Sequence, residues 1–480
     1  MIRSLVFLLI LSLSTISYAQ ENTNVLFIAI DDLNDWIGVL NGHPQTRTPN
    51  IDALAKSGML FTNAHCQAPI CGPSRASVMS GLYPTTSGNY LQMRDTNIKK
   101  SNAASGKAIL LPDYFEKYGY KTMGVGKIYH NGDGAQTFDE YGGTFEMYGP
   151  RPPKRINYNP EWYGKPKGTS TDWGAYPSED RLMPDYKSAQ WAVEKLNQNH
   201  DKPFFLAVGF VRPHVPWHVP QKWFDKFPVK DIQTPAYLPD DFDDIPAFAR
   251  RVTEVPMMPT TDFLMESNQW KDVVQAYLAC INFVDHQVGK VLKALKESDY
   301  ANNTIVVVWS DHGYHLGEKN RFAKQALWER STRTVLIIKE LNAVKGRESN
   351  KPVQLLDIYP TLLELSGLPA NKQNEGHSLV PLLENDKAAN WPYAAISSFG
   401  RNNTAITGEN FRLIQYEDKS IELYDSRKDP NEWKNLAQVE GFEQEINRLR
   451  GFIPKEQADL SKYSIFNLND YWRKIIKSNN

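Results

Sequence analysis

The chain has 480 residues, and its 41% hydrophobic and 23% charged content excludes an intrinsically disordered protein. Its 54 Lys and Arg residues nearly balance 55 Asp and Glu residues, so a net charge of -1 provides no overall field for binding nucleic acid or an anionic membrane. Three cysteines are too few for a disulfide framework or a cysteine-rich zinc site.

The N-terminus has the pattern of a signal peptide. A positively charged start precedes an apolar run over residues 5–13, and Ser17 and Ala19 offer small side chains for cleavage after residue 19. The run is too short to span a bilayer comfortably, and no second run of spanning length follows. We therefore predict removal of residues 1–19, export to a periplasm or the outside, and no membrane span in the mature chain. In that oxidising compartment Cys66 and Cys280 could pair, although the sequence does not place them within reach of each other.

Three apolar runs predict buried strands, and each run is followed by polar residues. The runs are residues 24–30 before Asp31 and Asp32, residues 203–210 before His214, and residues 304–309 before Asp311 and His312. Helical patterns at 188–197 and 272–296 lie between the first and last strands. This alternation predicts an α/β fold with a largely parallel sheet flanked by helices. Because ligands bind beyond the carboxyl ends of such strands, we expect these Asp and His side chains to converge there.

The acidic residues at these strand ends predict a cation site. Asp31, Asp32 and Asp311 would repel one another unless a cation lay among them. Oxygen ligands suit calcium or magnesium better than zinc. An adjacent Asp pair alone is more often a cap or a turn, but the matching Asp311-His312 pair favours a metal. His312 fits calcium less well, and we interpret it as a weak ligand or as a contact of the nucleophile.

A motif begins at Cys71. It reads Cys71-Gly72-Pro73-Ser74-Arg75 and ends in Met79-Ser80-Gly81. This resembles the signature of the sulfatase family, Cys-x-Pro-Ser-Arg followed by Leu/Met-Thr-Gly, with Ser80 in place of the usual Thr. The alternative is a buried structural cysteine. In that family a maturation enzyme oxidises the cysteine to formylglycine, an aldehyde that hydrates to a geminal diol. The resemblance therefore implies formylglycine at Cys71 and a formylglycine-generating enzyme as a partner.

Further segments are similar to iduronate-2-sulfatase-like members of the family. They are residues 126–130, 212–216, 311–318 with Lys324, 357–362 and 421–436. The resemblance implies an alkaline-phosphatase-like α/β fold with a large mixed, mostly parallel sheet. It also implies a small C-terminal subdomain with an antiparallel sheet and a helix. We place the catalytic domain at residues 20–385 and the subdomain at 386–480.

The resemblance also implies a ligand set and a nucleophile. One calcium ion per chain would be held by five residues: Asp31, Asp32, Cys71, Asp311 and His312. Sulfate ester cleavage needs a nucleophile, stabilisation of charge and an acid for the leaving alcohol. A hydroxyl of the hydrated aldehyde at Cys71 would attack sulfur, with Arg75 steadying that group.

Four further roles follow from the same resemblance. Lys127 and Lys324 would bind the sulfate oxygens as compact charges. His214 would protonate the departing oxygen, and His130 would accept a proton as sulfate is expelled, although these two roles could be exchanged. Each residue has an ordinary alternative, since Lys324 could be a solvated surface residue, His130 a loop residue and His214 part of a turn.

Residues 141–180 show little periodicity and combine aromatic with basic side chains, including Arg155, Tyr158, Trp162 and Trp173. Such a segment suits a sulfated, carboxylated glycan, and a Pro-rich surface insertion is an equal alternative. We therefore expect an exported sulfatase for a polysaccharide that contains uronate or rhamnose, such as ulvan or a glycosaminoglycan, or for its oligosaccharides. A phosphate or phosphonate monoester hydrolase and a non-catalytic glycan-binding protein are the alternatives.

Overall fold

The computed structural model describes residues 23–159, 169–385, 390–465 and 469–479, so the predicted signal peptide lies outside the described residues. The strands are β1 Asn24–Ile30, β2 Met59–Phe61, β3 Ala64–His65, β4 Lys121–Gly126, β5 Glu140–Tyr141, β6 Trp173–Ala175, β7 Phe204–Phe210, β8 Trp217–Val219, β9 Thr304–Ser310, β10 Leu336–Lys339, β11 Arg347–Ser349, β12 Val353–Gln354, β13 Ala395–Ser398, β14 Thr404–Thr407, β15 Phe411–Gln415 and β16 Ile421–Asp425. The helices are α1 Pro49–Ala55, α2 Cys71–Ser80, α3 Pro84–Ser87, α4 Ala103–Lys107, α5 Leu111–Lys117, α6 Pro184–Leu196, α7 Gln221–Phe224, α8 Ala247–Thr253, α9 Thr261–Glu266, α10 Trp270–Glu297, α11 Glu329–Thr332, α12 Ile358–Leu365, α13 Val380–Glu384, α14 Glu443–Arg450 and α15 Asp470–Asn479.

Eight strands form the main sheet, in the order β11-β2-β10-β9-β1-β7-β4-β5. β1 lies between β7 and β9 and runs parallel to both, and β4 runs parallel to β7. β10 runs antiparallel to its two neighbours, β9 and β2. The predicted mixed, mostly parallel sheet is confirmed, and the three strands expected from the apolar runs lie side by side at its centre.

Both faces of this sheet are covered, which explains the continuous apolar runs. Leu26, Ile28 and Ile30 of β1 join one core with α6 and α10, and the alternate residues of β1 join a second core on the opposite face. Cys66 belongs to the second core and Cys280 to the first, and both thiols are free. The open question of a Cys66–Cys280 disulfide is thereby answered, because the sheet separates the two residues.

A small antiparallel sheet, β13-β14-β15-β16, follows the main sheet in sequence, and α14 packs against it. The predicted C-terminal sheet and helix are therefore present. Arg412 of β15 is buried and pairs with Glu329 at 3.3 Å and Glu432 at 3.2 Å, which links this sheet to α11. The domain boundary at 385/386 stays a prediction. Within the described residues, no helix combines the length and apolarity needed to cross a membrane.

Candidate active site

The central parallel strands end at one edge, and most of the predicted site residues lie just beyond them. Asp31 and Asp32 follow β1, Asp311 and His312 follow β9, and Lys127 follows β4. His214 lies four residues after β7. The main sheet therefore brings together side chains that are up to 281 residues apart in the sequence, as the convergence of strand ends predicts.

Cys71 is the first residue of α2, and it faces this edge. Its Sγ lies 3.0 Å from Lys324 Nζ, 3.3 Å from His312 Nε2 and 3.8 Å from Asp32 Oδ1. Burial raises the pKa of the Cys71 thiol well above its ordinary value, and the carboxylate of Asp31 adds to the rise. An unmodified Cys71 would therefore remain a neutral thiol and a poor nucleophile at neutral pH.

Four residues place candidate metal ligands within 4.8 Å of one another: Asp31, Asp32, Cys71 and His312. Asp32 Oδ2 is buried and has no hydrogen-bond partner among the described residues, and burial together with Asp31 raises the pKa of Asp32. His312 Nδ1 donates a hydrogen bond to the Gly313 carbonyl oxygen at 2.9 Å, so the lone pair is on Nε2, which lies 3.3 Å from Asp32 Oδ1. Burial lowers the pKa of His312 and keeps it neutral, as a ligand must be. This donor set fits a divalent cation that accepts oxygen ligands.

Asp311 lies beside that group and not within it. Its Oδ2 accepts a hydrogen bond from Arg75 Nε at 2.8 Å, and its Oδ1 accepts one from the Asp32 amide at 3.1 Å. The same Oδ1 lies 3.6 Å from His312 Nε2. Asp311 therefore orients Arg75 and the Asp32 turn, and its assignment as a ligand stays a prediction.

Three buried cations balance the three carboxylates. Lys127 forms an ion pair with Asp31, Lys324 forms one with Asp32, and Arg75 lies 2.8 Å from Asp311 and 3.4 Å from Asp31. Burial alone would raise the pKa of Asp31, but the charges of Lys127, Arg75 and Lys324 hold it well below its ordinary value. The cluster therefore has no net charge before a cation or an anion binds.

The turn that carries Asp32 is held by a residue that the sequence did not reveal. Asp32 has φ 58°, a left-handed conformation that is uncommon outside glycine and that Asp tolerates. The Tyr277 hydroxyl on α10 donates to the Asp32 carbonyl oxygen at 2.6 Å and accepts from the Asn34 amide at 3.1 Å. Tyr277 is completely buried, so these two bonds fix the turn against α10.

His214 is almost buried above the same cluster. Its Nδ1 donates a hydrogen bond to the Val215 carbonyl oxygen at 2.5 Å, and its Nε2 lies 4.0 Å from Asp32 Oδ2. Burial, Lys324 and Lys127 lower the pKa of His214 well below its ordinary value. The Tyr148 ring lies 5.2 Å from the His214 ring, and Lys127 Nζ lies 5.6 Å from the Tyr148 ring centroid.

His130 is placed through its backbone. The amides of His130 and Asn131 donate to Asp95 at 3.1 and 2.6 Å. Its Nδ1 has no hydrogen-bond partner in the described part of the chain, and burial and Lys127 lower its pKa well below its ordinary value. Within the described ranges no hydrogen bond joins the His130 ring to Cys71. The structure thus places His130 near the lysines of the cluster and leaves its chemical role a prediction.

The aromatic loop at 141–180 is only partly described, and Trp162 lies outside the described residues. Trp173 lies on β6 and is 2% exposed, so it belongs to the core and not to a substrate-binding surface. Among the described residues of this segment, Tyr148 contacts His214 and Lys127 of the site. Its position could not be predicted because the loop has no periodic pattern.

Comparison with known proteins accounts for this arrangement. The profile described as Sulfatase matches residues 23–368, and a second one, N-sulphoglucosamine sulphohydrolase, C-terminal, matches residues 317–459. The chain belongs to the sulfatase family. This sulfatase is therefore a sulfuric ester hydrolase, and the resemblance inferred from the Cys71 motif is confirmed.

Individual relatives agree with this assignment. A protein named "Sulfatase" from Formosa agariphila is 47% identical over 460 residues, which cover 94% of this chain and 90% of that protein. "Iduronate 2-sulfatase" from Mus musculus is 32% identical over 398 residues, covering 73% and 70% of the two chains. A solved protein in complex with its substrate D-glucosamine-2-N,6-O-disulfate has a TM-score of 0.70 at 22% identity, with 96% and 99% of the two chains covered, and this likeness shows the shared fold.

Proposed function

We propose that this sulfatase hydrolyses sulfate esters of a sulfated polysaccharide or its oligosaccharides, with Cys71 converted to formylglycine. The position of Cys71 supports the proposal most directly. A group attached to its Cβ lies 3.0 Å from the Lys324 ammonium and within 3.8 Å of His312 and Asp32, two members of the candidate cation site. An anion bound there would lie between Lys324 and the cation. When present, formylglycine supplies a hydroxyl nucleophile, and a divalent cation held by Asp31, Asp32, His312 and Asp311 supplies positive charge for the sulfate oxygens.

The buried lysines bind the ester. Lys324 and Lys127 each pair with a carboxylate, and both are desolvated. The carboxylates, Asp32 first, raise the pKa of Lys324 well above its ordinary value despite burial, so it is charged at neutral pH. In a site from which water is excluded, such charges stabilise the transition state more than they would in water. Arg75 keeps Asp311 and the Lys127 carbonyl in place.

His214 and His130 each carry out one of the two proton transfers that the reaction needs. His214 lies across Asp32 from α2, and its Nε2 is the ring nitrogen left free by the bond to Val215. We propose that the negative charge of a bound sulfate ester raises its low pKa, so that His214 carries a proton to the leaving oxygen. His130, neutral because of its burial, accepts a proton during release of sulfate.

The substrate class is proposed from the relatives. One acts on iduronate 2-sulfate by its name, and another was solved with a disulfated glucosamine. Both are sulfated sugars, and sugars of this kind occur as polymers with uronate. We propose a uronate- or rhamnose-containing polymer such as ulvan or a glycosaminoglycan, and we propose export to the periplasm or outside the cell, where such polymers occur. Maturation would then need a formylglycine-generating enzyme to read the segment around Cys71.

The experiment measures free sulfate released from ulvan, dermatan sulfate and heparan sulfate fragments. We expect release from one polymer class, and we expect Cys71→Ala to lower it roughly 1000-fold or more. Cys280→Ala is the matched control, since Cys280 is equally buried and lies in the core of α10. A matched pair of aryl sulfate and aryl phosphate esters tests the alternative, because faster phosphate hydrolysis would contradict the sulfatase assignment.

Mass spectrometry of the tryptic fragment 57–75, from protein made in the native host, tests the nucleophile. Conversion replaces sulfur and two hydrogens of Cys71 by oxygen and leaves Cys66 in the same fragment unchanged. Release of sulfate by protein with an intact Cys71 would refute the formylglycine mechanism. If protein with Cys71 converted to formylglycine released no sulfate from any of the three glycans, the proposed substrate class would be refuted, whereas the sulfatase chemistry would still stand.

A further inference from the structure

A second group of positive side chains lies on the outer surface, around the short helix α7. It comprises four cationic side chains and the ring of His286, which is neutral because burial lowers its pKa. We call these five residues the α7–α10 basic patch: Arg47, Lys222, Lys226, His286 and Lys290. Trp223 is at its centre, with Lys226 Nζ 4.0 Å and Lys222 Nζ 5.3 Å from its ring centroid and the His286 ring at 5.4 Å. Lys290 of α10 lies with its Nζ 3.9 Å from the Tyr186 ring centroid.

The patch contains few acidic partners of its own. Lys222 pairs with Asp180 at 2.7 Å, but Lys226 donates to the Asn282 side-chain oxygen at 2.8 Å and Lys290 to that of Gln287 at 3.0 Å. Across the described ranges, no salt bridge within 4.0 Å joins a carboxylate to Arg47, Lys226 or Lys290. Like charges held together by aromatic and amide contacts repel one another, and an external anion relieves that repulsion.

A cavity adjoins the patch on one side. Its volume is about 320 Å³, and Gln45, Thr46, Arg47, Lys226 and Asp231 supply its polar lining. The lining contains two cations, Arg47 and Lys226, two neutral hydrogen-bonding side chains, Gln45 and Thr46, and one carboxylate, Asp231. This composition favours an anionic ligand that carries hydroxyl groups. The volume is within the range of small-ligand pockets, which begin at about 300 Å³.

The patch and the active site share α10 but lie apart along it. Tyr277 contacts the Asp32 turn, whereas His286 and Lys290 lie nine and thirteen residues further towards the C-terminus. At a rise of 1.5 Å per residue the separation along the helix is about 14 to 20 Å. A small sulfate ester in the active site is too short to contact the patch as well, so contact with both places requires a longer chain.

We propose that the α7–α10 basic patch is an accessory binding surface for a sulfated polysaccharide chain, which it holds while another part of the same chain is cleaved. The proposal rests on the proposed function for its choice of polymer. Sulfate groups spaced along a glycan match separate lysine charges, and the sugar hydroxyls match the polar cavity lining. Binding at two places on one chain raises the local concentration of ester at the active site.

The test removes three charges without changing side-chain length greatly. In Lys222→Gln/Lys226→Gln/Lys290→Gln we expect KM for intact ulvan or heparan sulfate to rise at least about tenfold at low salt, with kcat unchanged. Kinetics on tetrasaccharides of the same polymer stay unchanged, and the difference on polymer shrinks at high salt. The matched control is Lys56→Gln/Lys345→Gln/Lys419→Gln, in which three exposed lysines outside the patch are neutralised.

Binding is measured separately from cleavage, with the Cys71→Ala protein and chains of heparan sulfate, ulvan and sulfate-free polygalacturonate. We expect the triple patch variant to lower affinity for a sulfated chain at least about tenfold and the control variant to have no effect. Unchanged affinity in the patch variant, no binding of either sulfated polymer, or equal binding of polygalacturonate would each overturn the proposal. If the sulfatase released no sulfate from these glycans while patch-dependent binding persisted, the proposed substrate would fail and the binding surface would stand.

Discussion

Removal of one hydroxyl group, in Tyr277→Phe, should loosen the turn that carries Asp32. The Tyr277 hydroxyl satisfies the Asp32 carbonyl oxygen and the Asn34 amide, at 2.6 and 3.1 Å, in a fully buried position. The phenyl ring leaves both backbone groups without a partner, and each costs about 1 to 3 kcal/mol. We expect the free energy of unfolding to fall by about 2 to 6 kcal/mol. Because the turn positions a proposed ligand, calcium should also bind more weakly.

The assay is urea unfolding with and without calcium, together with the calcium dependence of sulfate release. Tyr314→Phe is the matched control, since the Tyr314 hydroxyl is equally buried and donates to the single carbonyl oxygen of Phe322 at 3.1 Å. It should cost about half as much. If Tyr277→Phe were no less stable than Tyr314→Phe and showed the same calcium midpoint as the parent protein, the role assigned to Tyr277 would be refuted.

Three further results are expected. His214→Ala should lower the rate of hydrolysis of a sugar sulfate by about 100-fold or more, and that of a nitrophenyl sulfate less, because nitrophenolate leaves without an acid. His130→Ala should lower the rates on both substrates equally. If the two variants showed the opposite behaviour, the roles of His214 and His130 would be exchanged. Chelation should lower the melting temperature and the activity, and added calcium should restore both. In Asp32→Asn, chelation and calcium should leave the melting temperature unchanged, and a melting temperature that still fell on chelation would contradict the assignment of Asp32 as a ligand. Burial lowers the pKa of His65 to about 3 in the folded protein, whereas in the unfolded chain it is about 6.5. Between these two pH values only the unfolded chain binds a proton at His65, so the free energy of unfolding falls as the pH drops from about 6.5 to about 3. His65→Gln should reduce that slope by about 1.4 kcal/mol per pH unit in urea titrations, and an unchanged slope would argue against a neutral His65.

The central strands and the Cys71 motif could be predicted from the sequence, because a doubly buried strand and a helix-starting signature are local patterns. Sequence patterning did not reveal Tyr277, Asp95 or Tyr148. Tyr277 lies among apolar residues on α10 and looks like core, and its partner Asn34 is 243 residues away. For Trp173 the prediction is wrong in the other direction. An aromatic residue in a polar segment is interpreted as part of a binding surface, but Trp173 lies on β6, which pairs with β8, and its side chain is buried.

The charge balance of the site affects how its product leaves. Three carboxylates opposite three buried cations sum to zero, so a divalent cation would leave the loaded site with a charge of about +2. A sulfate ester carries a single negative charge, whereas the sulfate released from it carries two. The loaded site is therefore better neutralised by its product than by its substrate, and inorganic sulfate should be a competitive inhibitor whose departure limits turnover at high substrate concentration.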